Sequence, residues 1–130
     1  MAGLKPLVVV IEDDHNAASA LELTLRDWGA DVQRFAKQDA LAAIDENNAD
    51  RVIAVIADFD PGARAHGASF SKGLRRRAPD ARILVLSGMF TPRAAKAAAE
   101  AGYDFMPKPA AAEAITHWLD KALTSRRNLA

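Results

Sequence analysis

Seven polar residues of the chain have types and spacings that could do chemistry together. The stretch "VIADFDPG" (Val55 to Gly62) is an apolar run that ends in two aspartates one residue apart and then a Pro-Gly turn. Glu12, Asp13 and Asp14 close another apolar run, "LVVVI"; Ser87 closes a third, "RILVLS"; and Lys108 stands in "DFMPKP". Acids gathered at one place repel each other unless a cation sits among them. An all-oxygen donor set suits a hard divalent ion such as Mg²⁺, which keeps waters and shares phosphate oxygens with one or two carboxylates. An aspartate can also act as a nucleophile and carry an acyl phosphate. Phosphoryl transfer is mainly positioning and neutralisation of oxygen charge, which an ammonium and a hydroxyl can assist. Taken alone, Asp58 and Asp60 also fit a solvated turn after a strand.

The elements that must bring these residues together alternate along the chain. Leu7–Ile11, Arg51–Ala57 and Arg82–Ser87 are continuous apolar runs, as expected of strands buried on both faces. "DVQRF" is more polar, as an edge strand would be, and "YDFM" is a short fifth strand. Between them lie helix-period segments. "HNAASALELTLRDWG" places Ala17, Leu21, Leu25 and Trp28 on one face, with Gly29 as the residue after the helix. "DALAAIDENN" is a short second helix using Leu41 and Ile44, and "SFSKGLRRRA" a third, interrupted by Gly73. "TPRAAKAAAEAG" is a fourth, with Thr91 as N-cap, Pro92 in its first turn and Gly102 at its end. A fifth, "AAEAITHWLDKAL", uses Ile115, Leu119 and Leu123, and the tail "TSRRNLA" is expected to fray.

Strict alternation of five strands and five helices means βαβ units, a parallel sheet and right-handed crossovers that put helices on both faces. The expected fold is a doubly wound α/β domain. In such a sheet, ligands bind beyond the carboxyl ends of the strands at the switch in strand order, which is where the seven residues fall. The 130 residues read as a single domain, 1–130, with a core over about 6–124.

Composition removes other classes. Seventeen basic residues balance 17 acidic ones, so no overall field favours nucleic acid or a membrane surface. The absence of cysteine excludes disulfides, thiolate catalysis and Cys-based zinc sites. No apolar run approaches the roughly 18 residues of a membrane span, and "MAGLKP" lacks a signal peptide's apolar core. The expectation is a cytoplasmic protein. His15, His66 and His117 read as surface residues, and no helix presents a phosphodonor histidine.

The ordered set of strand-end residues resembles that of the receiver domains of two-component response regulators, over almost the whole chain. "VVVIEDD" resembles that family's acidic pair, which implies Glu12 and Asp13 as metal ligands. "VIADFD" resembles its phosphoacceptor segment, which implies Asp58 as the phosphorylation site and metal ligand, with the backbone carbonyl of Asp60 as a further ligand. "VLSG" implies the hydroxyl role for Ser87, and "DFMPKP" implies the lysine role for Lys108, with a cis Lys108–Pro109 bond. Phe105 falls at the position of the switch aromatic, to act with Ser87. The resemblance implies a flavodoxin-like sheet in the order 2-1-3-4-5, a Mg²⁺ cofactor, and a histidine kinase or histidine phosphotransfer protein as phosphodonor. It further implies a phosphorelay protein that is not an enzyme beyond its own phosphotransfer and dephosphorylation. Its interaction face, which could also form a homodimer, would be the fourth helix, fifth strand and fifth helix. "LRDWGADV" and "GARAHG" resemble receivers attached to hybrid histidine kinases. Asp60 and Pro61 arrive early relative to the family pattern, and Pro107 before the lysine is uncommon in it.

Two rival readings remain at this stage. "DFD" also resembles the opening motif of haloacid dehalogenase-type phosphatases, with Asp58 as nucleophile and Asp60 as acid/base, although here the acidic pair precedes that motif instead of following it. The other is a receiver-like docking module that works without phosphorylation.

Overall fold

The computed structural model describes residues 5–12, 14–35, 44, 48–58, 73, 76–88 and 91–128. Five strands, β1 (Leu7–Ile11), β2 (Asp31–Phe35), β3 (Val52–Asp58), β4 (Arg82–Ser87) and β5 (Asp104–Pro107), form one parallel sheet in the order β2-β1-β3-β4-β5. Three α-helices lie among the described residues: α1 (His15–Trp28), α2 (Pro92–Ala101) and α3 (Ala112–Asn128). The second expected helix lies largely outside the described residues, as does most of the third; Gly73, Arg76 and Arg77 of the latter have helical backbone. The fourth and fifth expected helices are α2 and α3.

The apolar runs are continuous because both faces of the central strands are covered. Val9, Ile11, Val55, Ala57, Ile83 and Val85 enter one core with Ile44, Ala98 and Tyr103. Val8, Val10, Ala54, Ile56, Leu84 and Leu86 enter the other with Leu25, Ile115, Trp118 and Leu119. Successive strand residues alternate between the two, so α1 and α3 cover one face while α2 covers the other. β2 is the polar edge strand that its composition suggests.

Capping fixes the helix ends that matter to the site. Asp14 has extended backbone and its carboxylate accepts from the N–H groups of Asn16 and Ala17, at 2.9 and 3.1 Å, which satisfies two donors that the first turn leaves open. At the other end Gly29 has φ 117°, its N–H donates to Arg26 O, and Ala30 N–H donates to Leu25 O, a Schellman turn. Thr91 caps α2 through a hydrogen bond from Ala94 N–H, with Pro92 at the first position and Gly102 in the left-handed region at its end.

Three details correct the expectations. In α1 the buried alanine is Ala18, while Ala17 is exposed; the helix is rotated so that Leu25 sits at the centre of the contact and Leu21 and Trp28 flank it. Strands β3 and β5 each run one residue further than their apolar stretches, to Asp58 and Pro107, because ladder pairing with β4 continues past the side chains that fill the core. Helix α3 does not stop at Leu123: it runs on to Asn128, the Thr124 hydroxyl donating to Asp120 O. No glycine or proline interrupts that stretch, and its arginines suit a helix C-terminus.

Candidate functional site at the carboxyl edge of the sheet

Pairing sets the heights of the candidate residues. Ile11, Ala57, Val85 and Phe105 form one row across β1, β3, β4 and β5. One residue further along each strand come Glu12, Asp58, Leu86 and Met106, the last three paired in register. One step more brings Ser87 opposite Pro107, the last residue of β5, and Lys108 follows it directly. Residues from 12 to 108 are thus collected at one edge, the carboxyl edge, by parallel pairing alone.

Glu12 is held on three sides. Its N–H donates to Phe35 O at 2.9 Å, its Oε1 accepts from Asp14 N–H at 2.9 Å, and its Oε2 lies 3.7 Å from Lys108 Nζ. Its side chain is 7% exposed against 37% for Lys108, so the acid is buried at the rim while the cation reaches in from the side. A carboxylate so enclosed needs a positive partner, and Lys108 supplies one. The Lys108 N–H donates to Ser87 O at 2.9 Å, tying the lysine segment to the end of β4, and the Lys108–Pro109 peptide is cis. Ser87 is 5% exposed. Asp14 is committed to capping α1. Phe105 is partly buried and packs on the core under α2. Beside Glu12 and Lys108 a cavity of about 520 Å³ opens between α1 and α3, lined also by Leu21, Thr24, Leu86 and Ile115.

Asp13 and Asp60 lie outside the described residues, and Asp58 is placed by its backbone as the last residue of β3. Among the described residues no group of three or more metal-binding side chains forms. The described part of the site fits a hard cation in its donor chemistry: Glu12 offers carboxylate oxygens, buried at the strand edge 3.7 Å from the Lys108 ammonium.

Sequence reasoning passed over a second polar cluster, on the outer side of α1. Arg34 of β2 donates to Glu22 Oε1 at 3.1 Å and to the Ser19 hydroxyl at 3.4 Å, and its other terminal nitrogen lies 3.0 Å from His15 Nδ1. Arg26 takes the second oxygen of Glu22 at 2.6 Å. Hydrogen bonds from Arg26 and then Arg34 hold the Glu22 carboxyl below its ordinary pKa. The spacing His15, Ser19, Glu22 is one helical stripe and was legible; the arginine that reaches it from β2 was not.

A doubly wound sheet in this order, with an acid, a hydroxyl and a lysine at its switch edge, defines the flavodoxin-like receiver architecture. The family model for the response regulator receiver domain matches residues 8–120, and the chain belongs to that family. No curated protein matches it in sequence. Among solved structures it is similar to a response regulator receiver domain protein from Clostridium thermocellum, at TM-score 0.80 and 19% identity over 96% of this chain and 99% of that one. A CheY-like receiver domain protein from Methanospirillum hungatei gives TM-score 0.79 and 18% identity over 98% and 100%. The BeF3-activated receiver domain of DrrB gives 0.75 and 19% over 93% and 99%. The phosphatase alternative finds no support in these matches. Among the described residues no helix is long and apolar enough to cross a membrane.

Proposed function

We propose that Asp58 accepts a phosphoryl group from a phosphohistidine on a partner histidine kinase or histidine phosphotransfer protein, and that the phosphorylated domain presents an altered docking face. The observation that carries this reading is the convergence of Glu12, the end of β3, Ser87 and Lys108 on one edge of a receiver-family sheet.

In the transfer an Asp58 carboxylate oxygen forms a bond to phosphorus as the phosphorus–nitrogen bond breaks, and the imidazole keeps the electron pair and takes up a proton. Lys108 neutralises charge on one phosphoryl oxygen, a role for which it must leave Glu12. Ser87 donates its hydroxyl to another. Glu12, Asp13, Asp58 and the Asp60 carbonyl are the residues that would hold Mg²⁺. When bound, the ion offsets the repulsion among these acids and draws charge from the phosphoryl oxygens. The chain's own groups position the acceptor and the phosphoryl oxygens for in-line transfer.

Ser87 and Phe105 then change place together and shift the population of the surface made by α2, β5 and α3. That surface is where we place the downstream partner or a second copy of the chain. We place the protein in the cytoplasm. The BeF3-activated DrrB structure lends support to a site of this kind, since that receiver shares the fold.

The test is incubation with a ³²P-phosphohistidine donor protein in MgCl2. Label on the wild type that is absent with EDTA and absent from Asp58→Asn supports the reading. Label that persists in Asp58→Asn, or steady release of phosphate from a simple monoester, refutes it.

A further inference from the structure

Glu12 and Asp14 are each tied to one of two adjacent residues of β2. Glu12 N–H donates to the carbonyl of Phe35. Asp14 caps α1, and the first two turns of that helix are pinned by Arg34 through His15, Ser19 and Glu22. Glu12 and Asp14 are therefore held between a strand carbonyl and a helix whose rotation and height Arg34 sets, and Glu12 Oε1 accepts from Asp14 N–H at 2.9 Å. Guanidinium suits this task because its planar fork gives several donors in fixed directions, where an ammonium gives one point of attachment.

We propose that Arg34 is a positioning residue for the metal-binding acid Glu12: it touches neither ion nor phosphate, but holds α1 and, through the Asp14 N–H, the Glu12 carboxylate in place. The inference rests on the Mg²⁺ reading given above. It explains why an arginine stands in an edge strand with half its reach laid across a helix, and why Glu22 is shared between Arg34 and Arg26.

Electrostatics and positioning predict opposite signs, which makes the inference testable. Removing a cation from the neighbourhood of an acidic site strengthens cation binding if charge is all that matters. If Arg34 positions Glu12, its removal weakens binding, as loss of partners behind metal ligands does by about 10- to 100-fold. The experiment is titration of the wild-type chain, Arg34→Met, Arg34→Lys and Glu22→Gln with MgCl2, followed by ¹H–¹⁵N NMR, with the melting temperature of each measured without metal. Methionine keeps much of the apolar stem.

The expected result is a Kd for Mg²⁺ raised about tenfold in Arg34→Met and Arg34→Lys alike, in protein that is folded by its spectrum. Glu22→Gln, which keeps an acceptor but not the charge, shows a smaller rise. A Kd unchanged or lowered in Arg34→Met, whatever its melting temperature, overturns the inference, as does full rescue by Arg34→Lys. Should Arg34→Met not fold, Glu22→Gln decides: an unchanged Kd there overturns it. If wild type itself shows no saturable Mg²⁺ shifts, the metal reading fails and takes the inference with it. A wild type that binds while the variants bind equally well sinks the positioning role alone.

Discussion

Asp104 opens β5, and a single oxygen of its carboxylate does two things. Oδ2 accepts from Arg82 at 2.8 Å and from the Trp118 indole N–H at 2.8 Å. Trp118 is 6% exposed, so Asp104→Ala strands a buried donor at a cost of about 1–3 kcal/mol. The ion pair is another matter, because both side chains are more than a third exposed, at 37% and 40%; solvent screening leaves it about 0–1 kcal/mol. Asp104→Ala should therefore lose roughly 2 kcal/mol, most of it from the indole. Asp104→Asn retains a carbonyl oxygen for the indole and should lose under about 1 kcal/mol. Arg82→Met, which removes the ion pair alone, should match the asparagine variant. Urea unfolding followed by tryptophan fluorescence reads these differences. With a slope of about 1–3 kcal/mol per molar, the alanine variant's midpoint falls by roughly 1 M. Equal losses in Asp104→Ala and Asp104→Asn, or a loss in Arg82→Met as large as in Asp104→Ala, would refute the reasoning, since either makes charge the main contribution.

Two further outcomes follow from the same geometry. Gly29→Ala should cost about 1 kcal/mol or slightly more, as measured by urea midpoint, because φ 117° strains any side chain there while no atom lies within 4 Å of the added carbon. The pKa of Glu22 is lowered in the folded chain, by Arg26 first and Arg34 second, so its stabilisation is fully present above the ordinary carboxylate pKa of about 4.3 and is lost as pH falls through the lowered folded value. The stability gap between wild type and Glu22→Gln should be constant from neutral pH down to about 5 and close in stronger acid; a gap that grows on acidification contradicts the assignment.

Most of the sheet was legible because its signal is local. Continuous β-branched runs such as Leu7–Ile11 leave little choice of structure, and the helix ends at Gly29, Thr91 and Gly102 are read from residue type. The candidate site was legible for a related reason: parallel pairing aligns strand ends, so residues that close apolar runs must meet. What escaped depends on rotation and reach. Whether Ala17 or Ala18 faces the core is a question of one helix's angle against the sheet. Likewise, Arg34 reaching Glu22, and the Trp118 indole meeting Asp104, depend on long side chains crossing between elements, which no spacing along the chain encodes. The end of α3 was misplaced because a polar tail looks frayed until its neighbours are known to be helix-permissive.

The central claim, that a strand-end aspartate carries the phosphoryl group, has a direct chemical test. Borohydride reduces an acyl phosphate on aspartate to homoserine, and the modified residue can be located by mass spectrometry of peptides from protein phosphorylated in MgCl2. Homoserine at position 58 and at no other acid is the predicted result. Homoserine at Glu12's neighbour Asp13 or at Asp60, or a phosphate that survives reduction unchanged on a hydroxyl, would contradict the account.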